Sequence, residues 1–184
     1  GLGESEGDFS KSSFTTNVED LISIYDYISH NYKRPRFLFG HSLGSLVSIK
    51  AANFLDSIIG VVTVGSPSNF DNLIKLYSNY ESELIEKENL EVNLSGRKIN
   101  LGLDYLKDLR GESVEHIINS FKKGIIIFHS NGDRTVSYEE GLKLFNKISS
   151  EKSFITLNNV DHLVSNKEDS TYIGKILCTW LENF

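Results

Sequence analysis

The chain has 184 residues, of which 39% are hydrophobic and 11% aromatic, and its net charge is −6. This length and composition fit one globular domain with a hydrophobic core and argue against a disordered chain. The acidic balance, without a basic run, argues against nucleic acid as a partner, and the longest apolar runs are far shorter than the roughly 20 residues of a membrane span.

The first half of the chain predicts two helices and two buried strands in alternation. Residues 16–32 have apolar side chains at helical spacing, and Thr16 and Glu19 have the spacing of a capping box. Pro35 blocks continuation of this helix. The segments that follow are a strand at 36–39, a helix at 44–55 and a β-branched strand at 57–65.

Residues 69–122 differ in character, because charged amphipathic stretches surround a segment, 91–101, that could form a hairpin. We predict an inserted helical cap there. The strand and helix alternation then resumes at 124–130, 137–148 and 153–157, with a capping box of Ser137 and Glu140 at the start of the helix. Apolar strands that alternate with amphipathic helices predict an α/β fold, a mostly parallel sheet flanked by helices, within a single domain over residues 1–184.

The last predicted helix carries an apolar stripe and the only cysteine. The stripe consists of Tyr172, Ile173, Ile176, Leu177, Trp180 and Leu181, and Cys178 is expected in the core beside it. A single cysteine cannot form an internal disulfide, and no segment resembles a signal peptide. Both observations favour a reducing compartment, so we expect a cytoplasmic protein.

A serine between two glycines follows the first predicted strand. Gly40, Ser42 and Gly44 form a G-x-S-x-G pattern in a strand, turn and helix context, which is typical of a nucleophilic serine. The sharp turn exposes the serine Oγ, and the following helix directs N–H groups at negative charge that forms nearby. The N–H of Leu43 is therefore a candidate oxyanion donor. An ordinary tight turn is the alternative.

A serine nucleophile needs a base, and five histidines are candidates. His162 lies on a polar loop after the last strand, which leaves its ring free to reach the serine, so we predict that it is the base. His30 lies at a helix end, His41 beside the serine with a different side-chain direction, and His116 in the predicted cap. His129 ends a strand, and we expect it to pack beneath the site. A solvated loop histidine is the alternative for His162.

The base needs an orienting carboxylate, for which Asp133 is the first candidate. It follows the third strand in an Asn-Gly-Asp turn, where the carboxyl ends of parallel strands gather reactive side chains. Asp161 ranks second, because an extended loop would point it away from His162. An ordinary turn aspartate is the alternative for Asp133. Neither the H-E-x-x-H spacing of a zinc site nor a phosphate-binding G-x-x-x-x-G-K-[ST] occurs, so we expect no metal and no cofactor.

With these residues in place, the chain resembles the α/β-hydrolase superfamily, and most closely the hydrolase portion of bacterial proteins in which such a hydrolase is fused to an OsmC-like domain. "GHSLGS" is common to the superfamily, whereas "LSGRK" and "DHLVSNKED" are more specific. The resemblance implies Ser42 as nucleophile, Asp133 as acid and His162 as base, and it suggests an OsmC-like domain in the parent protein. It also implies that N-terminal strands, with a second oxyanion donor, are missing. The strand leading to Ser42 would then be an open edge, and we expect the chain alone to be marginally stable and poorly active.

The predicted function is that of a serine hydrolase that works through an acyl-enzyme, with small-molecule esters as the first candidate substrate class and amides as the second. The apolar faces of the predicted cap favour a modest acyl or aromatic ester. Two alternatives stay open. The chain could be a non-catalytic module with the same fold, or an acyltransferase that uses the same three residues.

Overall fold

The structure is a computed structural model that describes residues 4–94 and 97–184. The chain divides into two compact units. One unit contains the chain up to Asp20 together with Asn69–Val114, and the other contains Leu21–Ser68 and Glu115–Phe184. The helices and strands are, in chain order, α1 (Phe14–Asn31), β1 (Phe37–His41), α2 (Leu43–Ala52), β2 (Gly60–Val64), α3 (Asp71–Ser78), α4 (Glu81–Lys87), β3 (Asn89–Leu94), β4 (Arg97–Gly102), α5 (Leu103–Gly111), α6 (Val114–Ser120), β5 (Gly124–Ser130), α7 (Tyr138–Lys147), β6 (Lys152–Leu157) and α8 (Lys167–Leu181).

A four-stranded parallel sheet forms the centre of the larger unit. Its strand order is β1-β2-β5-β6, so β1 and β6 are the edges of this sheet in the described part of the chain. Every residue of β2 and β5 is buried, as their continuous apolar sequences require. Burying each Val or Ile side chain stabilises the fold by roughly 1.5–3 kcal/mol, so these two strands anchor the carboxyl-end loops that follow them.

Helices cover both faces of the sheet. On one face, α8 packs Ile173, Ile176, Leu177 and Trp180 against a cluster that includes Val62 and Phe128. Side chains alternate between the faces along a strand, and α7 meets the other face at His129, where it brings Gly141 against the imidazole. The predicted α/β fold with a mostly parallel sheet is confirmed.

The smaller unit combines helices α3, α4 and α5 with the antiparallel pair of β3 and β4. The pair forms the predicted hairpin, whose residues 95 and 96 lie outside the described residues. Within this unit, Thr15 donates through its N–H and its hydroxyl to the two oxygens of Asp108, both at 2.7 Å. The predicted cap at about 69–122 stays a prediction.

Both predicted capping boxes are wrong. Helix α1 begins at Phe14, and the box forms between Ser13 and Thr16: the Ser13 N–H donates to Thr16 Oγ1 at 2.7 Å, and the Thr16 N–H donates to Ser13 Oγ at 3.1 Å. Because serine is itself a favoured N-cap residue, the helix starts one turn earlier than predicted. At α7, Ser137 is the N-cap residue but makes no side-chain cap bond, and the Glu140 carboxylate binds Ser68.

The predicted burial of Cys178 is also wrong, since its side chain is exposed. It follows the buried Ile173 by five positions, which rotates it by about 140° away from the face that packs on the sheet. Tyr172 is 52% exposed for a similar reason, so the true stripe of α8 is narrower than predicted. No helix in the described part of the chain is long and apolar enough to cross a membrane.

Candidate active site

Ser42 lies on the turn between β1 and α2. Its backbone has φ 53° and ψ −127°, a left-handed conformation that non-glycine residues rarely adopt. Such strain costs on the order of 1–3 kcal/mol and is concentrated at functional sites. A Cβ on Gly40 would lie 2.3 Å from the Gly44 carbonyl oxygen, so this turn requires a glycine before the serine. Ser42 therefore lies in a tight turn at the carboxyl end of β1.

The structure brings Ser42, His162 and Asp133 together although they are far apart in the sequence. The Ser42 hydroxyl is 3.0 Å from His162 Nε2, and His162 Nδ1 is 2.7 Å from Asp133 Oδ2. Because a carboxylate only accepts, Nδ1–H donates to it, which leaves Nε2 to accept from the serine hydroxyl. A continuous chain of hydrogen bonds thus joins the hydroxyl, the imidazole and the carboxylate.

The carboxylate of Asp133 is held rigidly in the turn after β5. Its side chain is only 2% exposed, and Oδ1 accepts from the N–H groups of Thr135 and Val136 at 2.8 and 2.9 Å. The buried His129 ring supports the same turn, since its Nε2 lies 3.0 Å from the Val136 carbonyl oxygen. These bonds direct Oδ2 of Asp133 at His162. His129 therefore packs beneath the site, as the sequence predicted.

Asp161 does not contact the imidazole of its neighbour; it shapes the loop that carries His162. Its carboxylate accepts from the N–H of Leu163 at 2.9 Å and from the hydroxyl of Ser165 at 3.0 Å. Burial raises the pKa of Asp161, but the bonds from Ser165 and Leu163 lower it by more, so that the pKa lies below its usual range. Val164 has φ 52°, which is strained for a β-branched residue.

Gly65 is a residue of the site that the sequence interpretation missed. It follows β2 with φ 59°, and a Cβ there would lie 3.2 Å from His162 Nδ1 and 3.3 Å from Asp133 Oδ2. The only sequence signal was a glycine at the carboxyl end of a predicted strand. Gly65 leaves the space in which the imidazole and the carboxylate meet.

Gly65→Ala is expected to lower kcat by about 10²-fold, because a displacement of the imidazole or carboxylate by a fraction of an ångström disturbs the reacting geometry. Alanine at φ 59° also adds backbone strain. Steady-state kinetics would measure the effect. Gly174→Ala is the matched control, since a Cβ at that helical position meets nothing within 4 Å. Unchanged kcat in Gly65→Ala would contradict this account of Gly65.

The loop after Gly65 is tied down by a buried carboxylate on α7. Glu140 accepts from the Ser68 N–H at 3.1 Å and the Ser68 hydroxyl at 2.5 Å, and from Lys143 at 2.7 Å. Burial raises the pKa of Glu140, but the bonds from Lys143 and Ser68 lower it by more, so that the pKa lies below its usual range. The ionised form of Glu140 is therefore the one that stabilises this loop.

Glu140→Gln is expected to lower the free energy of unfolding by about 1–3 kcal/mol near neutral pH, because it weakens charge-assisted hydrogen bonds to buried donors. The folded-state pKa is depressed, so the stabilisation is present above the ordinary glutamate pKa and is lost as the pH falls through the lowered one. The difference between wild type and variant should therefore shrink in acid. Urea unfolding across pH measures it, with the exposed Glu151→Gln as control. A difference independent of pH would contradict the assignment.

The other candidate histidines and the candidate oxyanion donor lie as follows. His30 Nδ1 is 2.6 Å from the Asp26 carbonyl oxygen of its own helix, and His116 is exposed on α6. Leu43 is the first residue of α2, where N–H groups have no acceptor within the helix. Among the residues that the structure describes, no group of three or more His, Cys, Asp or Glu side chains could hold a metal ion.

Comparisons with known proteins agree with this fold. The pattern of the serine aminopeptidase S33 family matches residues 1–77, which is less than half of the chain. The esterase domain of a Rhodothermus marinus protein is 26% identical, with a TM-score of 0.71 over 94% of this chain and 71% of that one. Comparison with curated protein sequences gave no match.

Two further solved structures share the fold at lower identity. Est1E from Butyrivibrio proteoclasticus, with ferulic acid bound, is 17% identical with a TM-score of 0.73, over 98% of this chain and 72% of that one. Mouse alpha/beta hydrolase domain-containing protein 10 is 19% identical with a TM-score of 0.77, over 100% and 75%. At these identities the likenesses show the fold. The chain has the α/β-hydrolase fold.

Proposed function

We propose that the chain is a serine hydrolase that cleaves carboxylic esters through an acyl-enzyme on Ser42. The observation that carries the proposal is the unbroken series of hydrogen bonds from the Ser42 hydroxyl through His162 to Asp133, at 3.0 and 2.7 Å. Such a series activates a hydroxyl that is otherwise a poor nucleophile.

The first half of the reaction transfers the acyl group to the enzyme. Ser42 Oγ attacks the ester carbonyl carbon while its proton passes to His162 Nε2. The carbonyl oxygen becomes an oxyanion, for which the N–H of Leu43 at the start of α2 is the proposed donor. The tetrahedral intermediate then breaks its bond to the alkoxy oxygen, and His162 returns the proton to the leaving alcohol.

The second half regenerates the enzyme with water as the nucleophile. His162 Nε2 takes a proton from water, the resulting hydroxide attacks the acyl carbon, and the bond to Ser42 Oγ breaks as the proton returns to it. Asp133 stays ionised throughout. It keeps the proton of the neutral imidazole on Nδ1 and stabilises the imidazolium that forms in each half.

The choice of an ester substrate rests on the solved relatives. The Rhodothermus marinus relative is an esterase domain, and the Butyrivibrio proteoclasticus relative carries ferulic acid, an aromatic carboxylic acid. The S33 family is named for an aminopeptidase, which favours amides as the second substrate class. Transfer of the acyl group to an acceptor other than water would use the same three residues.

A non-catalytic module with this fold is the second candidate. Strain at Ser42 and the burial of Asp133 beside His162 disfavour it, because both cost stability without benefit to a merely structural protein. An OsmC-like partner domain, further strands before residue 1, the poor activity of the chain alone and a cytoplasmic location remain predictions.

Covalent labelling tests the proposal. A fluorophosphonate probe reacts with an activated serine, so it should label the wild type and fail to label Ser42→Ala. Ser120→Ala is the control, because Ser120 is an exposed serine at the end of α6, and this variant should label like the wild type. A wild-type protein that is folded, as judged by a cooperative melt, and yet takes up no label would overturn the proposal in favour of the non-catalytic module.

A further inference from the structure

We propose that His41 is a positioning residue that fixes the loop of His162 to the nucleophile turn. This inference rests on the proposed function, and it assigns a role to a histidine that the reaction itself does not use. The His41 side chain leaves the turn in a different direction from Ser42, so it has no contact with the hydroxyl. It reaches the main chain of the loop that carries the base.

The contact is a short side-chain to backbone hydrogen bond. His41 Nε2 lies 2.7 Å from the carbonyl oxygen of His162, across 121 positions of sequence. A carbonyl oxygen only accepts, so His41 carries its proton on Nε2 and donates it. The two imidazole rings also lie close together, with their centroids 4.9 Å apart and their planes inclined by 44°. His41 thus touches both the backbone and the ring of His162.

At the start of the loop, the Asn159 N–H donates to Asn131 Oδ1 at 2.8 Å, which holds this end to the turn after β5. The polar bonds nearer to His162 do not fix its distance from Ser42. Those made by Asp161, to Leu163 and Ser165, are internal to the loop, so they set its shape and leave its distance from Ser42 free. The bond from His162 to Asp133 acts on the imidazole and not on the backbone. The bond from His41 joins the loop backbone directly to the residue before Ser42.

Packing beside His41 is incomplete. An apolar cavity of about 310 Å³ lies next to His41 and is lined by Phe39, Val64, Leu163 and Val164, among others. Leu163 is 73% exposed, and Val164 holds a strained backbone conformation. Val160 is buried and Val164 packs against the core cluster, so the loop is packed on its inner side, whereas the cavity supplies no contacts beside His41. The His41 bond is the hydrogen bond that joins the loop backbone at the base directly to the nucleophile turn.

The expected consequence is an effect on turnover rather than on binding. The His41 hydrogen bond goes to the carbonyl oxygen of His162 and not to the Ser42 hydroxyl or the nitrogens of the His162 ring, so KM should change little. Without the bond, the His162 backbone can move relative to Ser42, and a misplacement of about 1 Å lowers kcat by roughly 10²-fold.

Two substitutions separate the hydrogen bond from the ring. His41→Phe keeps an aromatic ring and removes the donor, and we expect a kcat lower by about 10²-fold in p-nitrophenyl acetate hydrolysis. His41→Gln restores an N–H at a similar reach, and its kcat should return to within about fivefold of wild type. His30→Gln is the control, because His30 bonds only within its own helix. Thermal melts verify that each variant folds.

Crystal structures of the wild type and the two variants give a readout that does not depend on activity. The distance between Ser42 Oγ and His162 Nε2, 3.0 Å in this structure, should lengthen by about 1 Å in His41→Phe and return in His41→Gln. An unchanged distance in all three proteins, or a kcat for His41→Phe equal to that of wild type, would overturn the proposal. If the wild type does not hydrolyse the ester, the proposed function fails, and the comparison of distances still decides whether His41 holds the loop.

Discussion

Replacing either Ser42 or His162 with alanine is expected to lower kcat for ester hydrolysis by about 10⁶-fold, and replacing both should cost no more than either alone. The two side chains form one unit, because the hydroxyl at 3.0 Å from Nε2 becomes a nucleophile only when the imidazole takes its proton. Once one member is lost, the other has nothing to act on. The residual rate would come from substrate binding and oxyanion stabilisation.

Kinetics of the two single variants and the double variant measure this non-additivity. Ester hydrolysis by contaminating enzymes would hide a loss of this size, so each variant must be purified free of other hydrolases. Ser120→Ala serves again as the control for loss of an exposed serine. Additive losses, in which the double variant is far slower than either single one, would mean that the two residues act in independent steps, which the proposed mechanism does not allow.

Asp133→Asn is expected to lower kcat by about 10⁴-fold while the fold stays intact. Oδ1 of Asp133 accepts from the N–H groups of Thr135 and Val136, and an asparagine in this turn would keep its oxygen toward those two donors. Its NH₂ group would then point at His162 Nδ1 and force that nitrogen to accept. The imidazole proton would move to Nε2, which could no longer take the proton of Ser42.

The same measurement on Asp161→Asn decides between the two candidate acids. Asp161 binds amides of its own loop and does not touch the imidazole, so this variant should lose far less activity than Asp133→Asn. Unfolding curves of both variants would exclude a collapse of the fold as the cause. Comparable losses in the two variants would contradict the assignment of Asp133.

The sheet could be predicted from the sequence because its signals are local. The apolar runs of β2 and β5 are fully buried, and Gly40 marks a turn before Ser42 that a bulkier residue would obstruct. The two capping boxes failed for different reasons. Ser13, three residues before Thr16, is an equally suitable N-cap residue, so the sequence offered two local starts for the same helix. Glu140 binds Ser68, 72 positions away, and this tertiary contact outweighs the local preference.

The topology of the sheet made Ser42, Asp133 and His162 predictable as site residues. The residues that support them could not be predicted in this way. Parallel strands gather their carboxyl ends at one edge, which brought Ser42, Asp133 and His162 into consideration together. Gly65 leaves space for two side chains that are distant in sequence, and His41 bonds to a backbone oxygen 121 positions away. Nothing in the local sequence of either residue indicates these partners. The burial of Cys178 was mispredicted because a stripe of apolar residues on a helix can be narrower than its sequence indicates.

The most direct test of the central claim is to trap the acyl group on the enzyme. The wild type is mixed with a p-nitrophenyl ester, quenched in acid during the first turnover, digested with trypsin and analysed by mass spectrometry. The peptide Phe37–Lys50 should gain the mass of the acyl group, and fragmentation should assign it to Ser42 rather than to Ser45 or Ser48. Product release from a protein that never carries the acyl group on this peptide would contradict the account.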